Sequence, residues 1–202
     1  MARGIAIHIG VNDPASNRHA RLSLSEGFAW KMAELSHQAG YGAIHMLCGA
    51  EATREAVHAL LSAAATALRP RDTLFVSFSG HGSQVPDANG DERDGLDETW
   101  CLYDGYLVDD DLMDIWRKAA AETRVLVVSE SCFAGGMRYA DDLLAEHPPR
   151  VRPPVYRSGG LVRGVKQYVH EGPSSCVSRE TLDEEGIQAS VLLMAGAGEK
   201  ET

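Results

Sequence analysis

Two residues in this chain are placed to do nucleophilic chemistry. His81 directly follows a short apolar run, Thr73 to Ser79, and stands between Gly80 and Gly82, so the backbone can bend sharply and leave the imidazole exposed at a strand end. Cys132 ends a second such run, Val125 to Ser131, after which Phe133-Ala134-Gly135-Gly136 turns the chain away. A thiol in that position is partly exposed, and a neighbouring histidine can assist its deprotonation. Taken singly, each has a plainer reading: His81 as a polar histidine in a glycine turn, Cys132 as a small buried apolar residue.

The elements that must position them can be read from periodicity. Ile5 to Val11, Ala43 to Leu47, Thr73 to Ser79, Val125 to Ser131 and Ser190 to Ala195 are apolar runs bounded by Gly, Pro, Asp or Ser, and read as strands. Glu26 to Ala39, Thr53 to Leu68 and Asp110 to Ala121 carry apolar residues at helical spacing, Phe28, Met32 and Leu35 among them. Strands alternating with helices imply βαβ units, hence a three-layer α/β/α sandwich around a mainly parallel sheet. In such sheets ligands meet the carboxyl ends of the strands. That rule selects Ser79-Gly80-His81-Gly82, the chain from Asn12 onward, and Glu130-Ser131-Cys132, two of which hold a base or a nucleophile. Residues Gln84 to Asp97 read as a polar, acidic loop. Gly136 to Ala189, with Pro148, Pro149, Pro153, Pro154 and many arginines, reads as a processing linker or activation loop.

Bulk properties narrow the class. A chain of 202 residues can bury one core without disulfides or metal staples, so a single domain spanning 1–202 is expected. A hydrophobic fraction of 44% and a charged fraction of 24% are those of a packed globular domain. The formal charge of -10 argues against nucleic acid, whose phosphates need clustered Lys and Arg. No run approaches the roughly 20 apolar residues of a spanning helix, and the amino terminus lacks a signal-peptide pattern, so no membrane partner and a cytoplasmic location are expected. Cys48, Cys101, Cys132 and Cys176 form no CxxC pair, which points to reduced thiols and away from a zinc or disulfide framework.

Taken together, SFSGHGSQVPDANGDERDGLDETWCLYDG, LVDDDL and VLVVSESCFAGG resemble, in order, the motifs of caspase-fold cysteine peptidases, and among them the metacaspases and their bacterial relatives. The counterparts are a Ser-Gly-His-Gly motif, an acidic Asp-Gly-x-Asp-Glu stretch, an Asp-Asp helix start and a Ser-Cys motif. The interval of about 50 residues between histidine and cysteine is likewise a family trait. The resemblance runs from about Ile5 to Ala197 and is strongest from Ser79 to Cys132. It implies a caspase-like sheet in which residues 1–136 resemble a large subunit, 137–189 a linker or activation loop, and 190–202 the start of a small-subunit-like part, either minimal or with a segment missing.

The activity implied is that of a cysteine endopeptidase. Cys132 attacks the scissile carbonyl, His81 protonates the leaving amine, and water then hydrolyses the thioester with His81 as base. By the same resemblance the backbone amides of Gly82 and Cys132 hold the oxyanion. The family usually has Asp before Ser-Cys, where this chain has Glu130. With Ser79 nearby, Glu130 would form a pocket for Arg or Lys, the alternative being a strand-end carboxylate paired with an arginine. A second pocket aspartate at the start of the first helix has no counterpart in Ser25-Glu26-Gly27-Phe28.

Calcium is the cofactor the resemblance implies, through Asp109 and Asp110 of the Asp109-Asp110-Asp111 run, and no organic cofactor is implied. Helix capping explains the same aspartates equally well. Asp87, Asn89, Asp91 and Glu98 mimic EF-hand spacing, but Glu92 stands where that loop needs glycine, so an EF-hand is rejected. Expected partners are proteins or peptides with basic residues, and a small-subunit fragment or regulatory partner. A different class remains open: a caspase-like scaffold with weak or no cleavage, its pocket altered at Glu130 and Phe28. A serine hydrolase using Ser131 lacks the GxSxG context.

Overall fold

The computed structural model describes residues 3–15, 19, 21–90, 95–131 and 186–195. Five parallel strands form the main sheet: β1 (Gly4–Gly10), β2 (Ala43–Cys48), β3 (Thr73–Ser79), β7 (Arg124–Glu130) and β8 (Ser190–Ala195), in the order β2-β1-β3-β7-β8. Alternate residues of each strand serve opposite faces. Ile7, Ile9, Leu74, Val76, Phe78, Val125, Val127, Val191 and Leu193 pack against α2 (Arg54–Ala67) and α3 (Asp109–Trp116) in the larger apolar cluster. On the other face Ala6 and Phe75 pack with Phe28, Met32 and Leu35 of α1 (Ser25–Gln38). The expected three-layer α/β/α sandwich is therefore the observed one.

Inward residues at helical spacing explain why α2 forms: Val57, Leu61, Ala64 and Ala65 are buried, and Thr53 caps the helix by accepting the Ala56 N–H at 3.1 Å. For α1 the cap comes from elsewhere. Asn12, just beyond β1, accepts the Ser25 N–H at 2.9 Å through its side-chain oxygen, which moors the helix start above the strand ends. Gly10 permits this approach, because a Cβ there would sit 2.6 Å from the Ser25 carbonyl oxygen.

Two expectations need correction. The two ends of Gln84 to Asp97 belong to an antiparallel hairpin: β4 (Gly82–Pro86) pairs with β5 (Leu96–Cys101), which pairs with β6 (Tyr106–Val108), and the loop between β4 and β5 is their connection. Its polar composition hid it, since Asp97, Glu98 and Thr99 are buried polar residues within a strand. The Asp87 side chain accepts the Asn89 and Gly90 N–H groups at 2.9 and 2.7 Å, and Gly90 and Gly95 take positive φ in the connection. Helix α3 ends at Trp116, not Ala121, because the Lys118 and Ala119 N–H groups turn back to the Ile115 and Trp116 carbonyls in tighter bonds.

His8, fully buried on the α1 face, joins three elements: Nδ1 meets Ser77 Oγ and Nε2 meets Ser36 Oγ, both at 2.8 Å. Burial lowers its pKa to about 4. The folded state thus favours neutral imidazole, so His8 contributes stability that is complete above the unfolded-state value near 6.5 and fades as pH falls toward about 4. Urea midpoints should show a loss of about 2 kcal/mol between pH 7 and pH 5 from this group. His8→Gln, which keeps polar atoms in place without titrating, should flatten that part of the curve. Parallel pH curves for both proteins would remove His8 from the account.

Candidate active site

The chain runs from β1 outward to β2 and then returns past β1 to β3, so the strand order reverses between β1 and β3. Crevices at such reversals, outside the carboxyl ends of the strands, are where α/β sheets place their sites. Hydrogen bonds draw these ends together: the Val11 N–H donates to the Ser79 carbonyl at 3.0 Å, and the Gly80 N–H to the Glu130 carbonyl at 3.3 Å. Ser79 and Glu130 are register partners on the α1 face. His81, half-buried, follows within two residues. Cys132 lies outside the described residues, but its two predecessors fix where β7 delivers the chain: Glu130 beside Ser79, and buried Ser131 after it.

The histidine turn rests on an aromatic floor. Phe78 stacks on Trp100 with centroids 4.7 Å apart, and a Cβ on Gly80 would come within 2.7 Å of the Phe78 ring, so this position must be glycine for the turn to close over it. Trp100 donates its indole N–H to Ser129 Oγ at 3.1 Å, and Ser129 Oγ lies 3.0 Å from Ser131 Oγ. This buried chain ties β5 to the end of β7. Gly82, buried, opens β4 opposite Trp100, and the Cys101 N–H donates to the His81 carbonyl at 2.9 Å. Sequence reading missed Trp100 and Ser129, since nothing in a strand pattern announces which polar atoms will meet across it. It also missed His19, whose ring stacks on that of His81 with centroids 4.8 Å apart.

Glu130 is solvent-exposed and forms no ion pair among the described residues, so the structural arginine partner weighed above is not found there. Partial desolvation still raises its carboxyl above the ordinary value, a direction that its exposure keeps from carrying much energy. Phe28 belongs to the apolar layer between α1 and the sheet. Cys48, by contrast with a reactive thiol, is pushed up by burial, with Glu26 and Glu51 adding to the effect.

The acidic run divides. Asp111 pairs with Arg54 at 2.8 Å, and Asp110 accepts the Asn89 amide at 2.7 Å. Asp109 is buried; its Oδ1 accepts the Asp110 N–H at 3.0 Å, whereas its Oδ2 has no hydrogen-bond partner. Burial first, then the nearby Glu98 carboxylate, raises its pKa to about 8. Among the described residues no group of three or more His, Cys, Asp or Glu side chains is arranged to hold a metal ion as it stands. Even so, the Asp109 Oδ2 left without a hydrogen-bond partner beside Glu98 and Asp110 is a local feature that a hard cation would relieve.

A parallel α/β/α sandwich with a histidine turn beside the strand that leads to a cysteine defines a protein of the caspase-like kind. A family model for the metacaspase, peptidase C14 domain, matches residues 24–139, more than half of the 202 residues, and the chain belongs to that family. It is 43% identical over 72 residues to Metacaspase-1 of Cryptococcus neoformans var. neoformans, covering 33% of this chain and 16% of that protein. It is 40% identical over 72 residues to Metacaspase-1B of Aspergillus fumigatus, covering 33% and 18%. The chain therefore spans under a fifth of the length of these curated relatives. A crystal structure of a Geobacter sulfurreducens protein superposes with a TM-score of 0.59 at 42% identity, covering 64% of this chain and 50% of that one.

Proposed function

We propose that the protein is a cysteine endopeptidase in which Cys132 is the nucleophile and His81 the acid and base. The observation that supports this reading is the pairing of β3 with β7, in register from Thr73↔Arg124 to Ser79↔Glu130, which sets the strand end before His81 beside the strand end that the sequence continues into Cys132. Cys132 thiolate adds to the scissile carbonyl, with Gly82 and Cys132 amides facing the developing oxyanion. His81 gives its proton to the departing amine; water then cleaves the thioester while His81 takes a proton back. A cytoplasmic setting is part of this proposal.

Preference for Arg or Lys before the cut bond would come from Glu130, beside Ser79. Because Glu130 is exposed before substrate binds, the expected effect of Glu130→Gln is modest: about a tenfold greater loss for Arg and Lys peptides than for Ala peptides. Equal losses across the panel would make Glu130 structural. The basic interval 137–189, of which all but 186–189 lies outside the described residues, would then offer Arg138, Arg150, Arg152, Arg157, Arg163, Lys166 and Arg179 for self-processing. A fluorogenic panel with Arg, Lys, Asp or Ala before the cut bond, run beside mass spectrometry of the incubated chain, tests both ideas. Cleavage after basic residues, and termini after Arg or Lys absent from Cys132→Ala, are expected. An inert wild type would instead favour the scaffold reading, which the partly buried, apolar Phe28 at the place of a pocket aspartate supports.

Calcium would be held by Asp109 and Asp110, neutralising a buried carboxylate and firming the hairpin they adjoin through Asn89. Millimolar calcium should raise the Tm by several degrees, since a ligand held at 100 times its Kd adds about 2.7 kcal/mol. Asp109→Asn should abolish the response and, without calcium, melt higher than wild type because the orphaned, repelled carboxylate is gone. Identical melting of both proteins across calcium and chelator would leave these aspartates as helix-start residues only.

A further inference from the structure

His19 is the described residue whose ring lies on His81. Its imidazole stacks on that of His81 with centroids 4.8 Å apart and planes 23° from parallel. The same side chain is anchored at its far edge, where Nε2 lies 3.7 Å from Cys101 Sγ, a sulfur hydrogen-bond distance in which either partner can donate. Cys101 is itself buried on β5, and its backbone N–H holds the His81 carbonyl at 2.9 Å. One residue thus grips both histidines, the one through its main chain and the other through its thiol. The chain after β1 is tied to the connection between β5 and β6 as well, since the Ala15 N–H donates to the Tyr103 carbonyl at 2.7 Å.

From this geometry we infer that His19 is a positioning residue for His81: its ring face fixes the plane of the catalytic imidazole, and Cys101 fixes His19. The inference rests on the peptidase reading above. One physical consequence follows. A side chain that must pass a proton between a sulfur and a leaving nitrogen loses rate when its plane wanders, because productive transfer needs the heavy atoms in line. This effect belongs to the chemical step, so it should appear in kcat and not in KM.

Two substitutions of similar bulk separate the ring face from mere filling of space. His19→Leu keeps volume without a π-face; His19→Phe keeps the face without a nitrogen. Steady-state kinetics on the best peptide of the fluorogenic panel, with melting curves for each variant, should show His19→Leu about tenfold lower in kcat with KM nearly unchanged, and His19→Phe within about threefold of wild type. Cys101→Val, which like His19→Phe keeps the ring face and removes the sulfur–nitrogen contact, should match His19→Phe. Wild-type kcat in His19→Leu, equal losses in Leu and Phe, or a loss confined to KM would overturn the inference while leaving the peptidase reading intact. Failure of the wild type itself to cleave any peptide would overturn the reading and the inference together.

Discussion

Replacing Cys132 by alanine should leave no measurable peptide cleavage, and replacing His81 by alanine should lower kcat by about a thousandfold or more. Without the sulfur no thioester can form, and water held in the same cleft is a far weaker nucleophile. Without the imidazole the leaving amine must depart unprotonated, and groups that act as a unit lose most of their effect when either is removed. Cys48→Ala provides the control. Cys48 stands at the end of β2, on the far side of β1 from the histidine turn, and burial with Glu26 and Glu51 disfavours its thiolate. Its removal should leave kcat within about twofold of wild type, as is usual for a substitution away from the reacting groups. Turnover in purified Cys132→Ala equal to that of wild type would end the dyad mechanism.

The second large effect is expected in stability. Gly10→Ala should destabilise the fold by about 3 kcal/mol, because the added methyl group would fall 2.6 Å from the Ser25 carbonyl oxygen and 2.8 Å from Glu26 Cα. Both are backbone atoms at the moored start of α1, so relief requires moving the helix off the strand ends rather than turning a side chain. Gly27 offers the opposite case on the same helix. Nothing lies within 4 Å of the position its Cβ would take, so Gly27→Ala should be neutral or stabilise by about 0.5 kcal/mol through helix propensity. Denaturant melts of the two variants read this contrast directly. A Gly10→Ala protein as stable as wild type would mean that α1 does not press on β1 as closely as its geometry states.

The parallel strands were legible because burial on both faces forces continuous apolar runs, and each run is bounded by residues that cannot continue it. Thr73–Ser79 and Ser190–Ala195 have the bounds that their composition predicts. The hairpin was not legible for the converse reason: its buried positions hold Asp97, Glu98 and Thr99, so the period-2 signal carries no hydrophobic contrast. Of the site, His81 and Ser79 announced themselves by standing at a strand end before a glycine. His19 did not, because a lone histidine bears no periodicity, and its meeting with His81 and Cys101 joins residues far apart in the sequence. Glu130 was legible as a residue but not in its exposure. That depends on what covers the β7 end and not on the strand pattern.

The central claim is that Cys132 acts as the nucleophile of a dyad assembled at the ends of β3 and β7. Covalent trapping tests it most directly. The wild-type protein and His81→Ala are incubated with a peptidyl chloromethyl ketone ending in Arg, and the site and rate of modification are mapped by mass spectrometry of the digested chain. A single adduct on Cys132, formed much more slowly in His81→Ala and not at all after heat unfolding, is the result predicted here. Modification spread over Cys48, Cys101 and Cys176, or labelling of Cys132 at the same rate with and without His81, would contradict it.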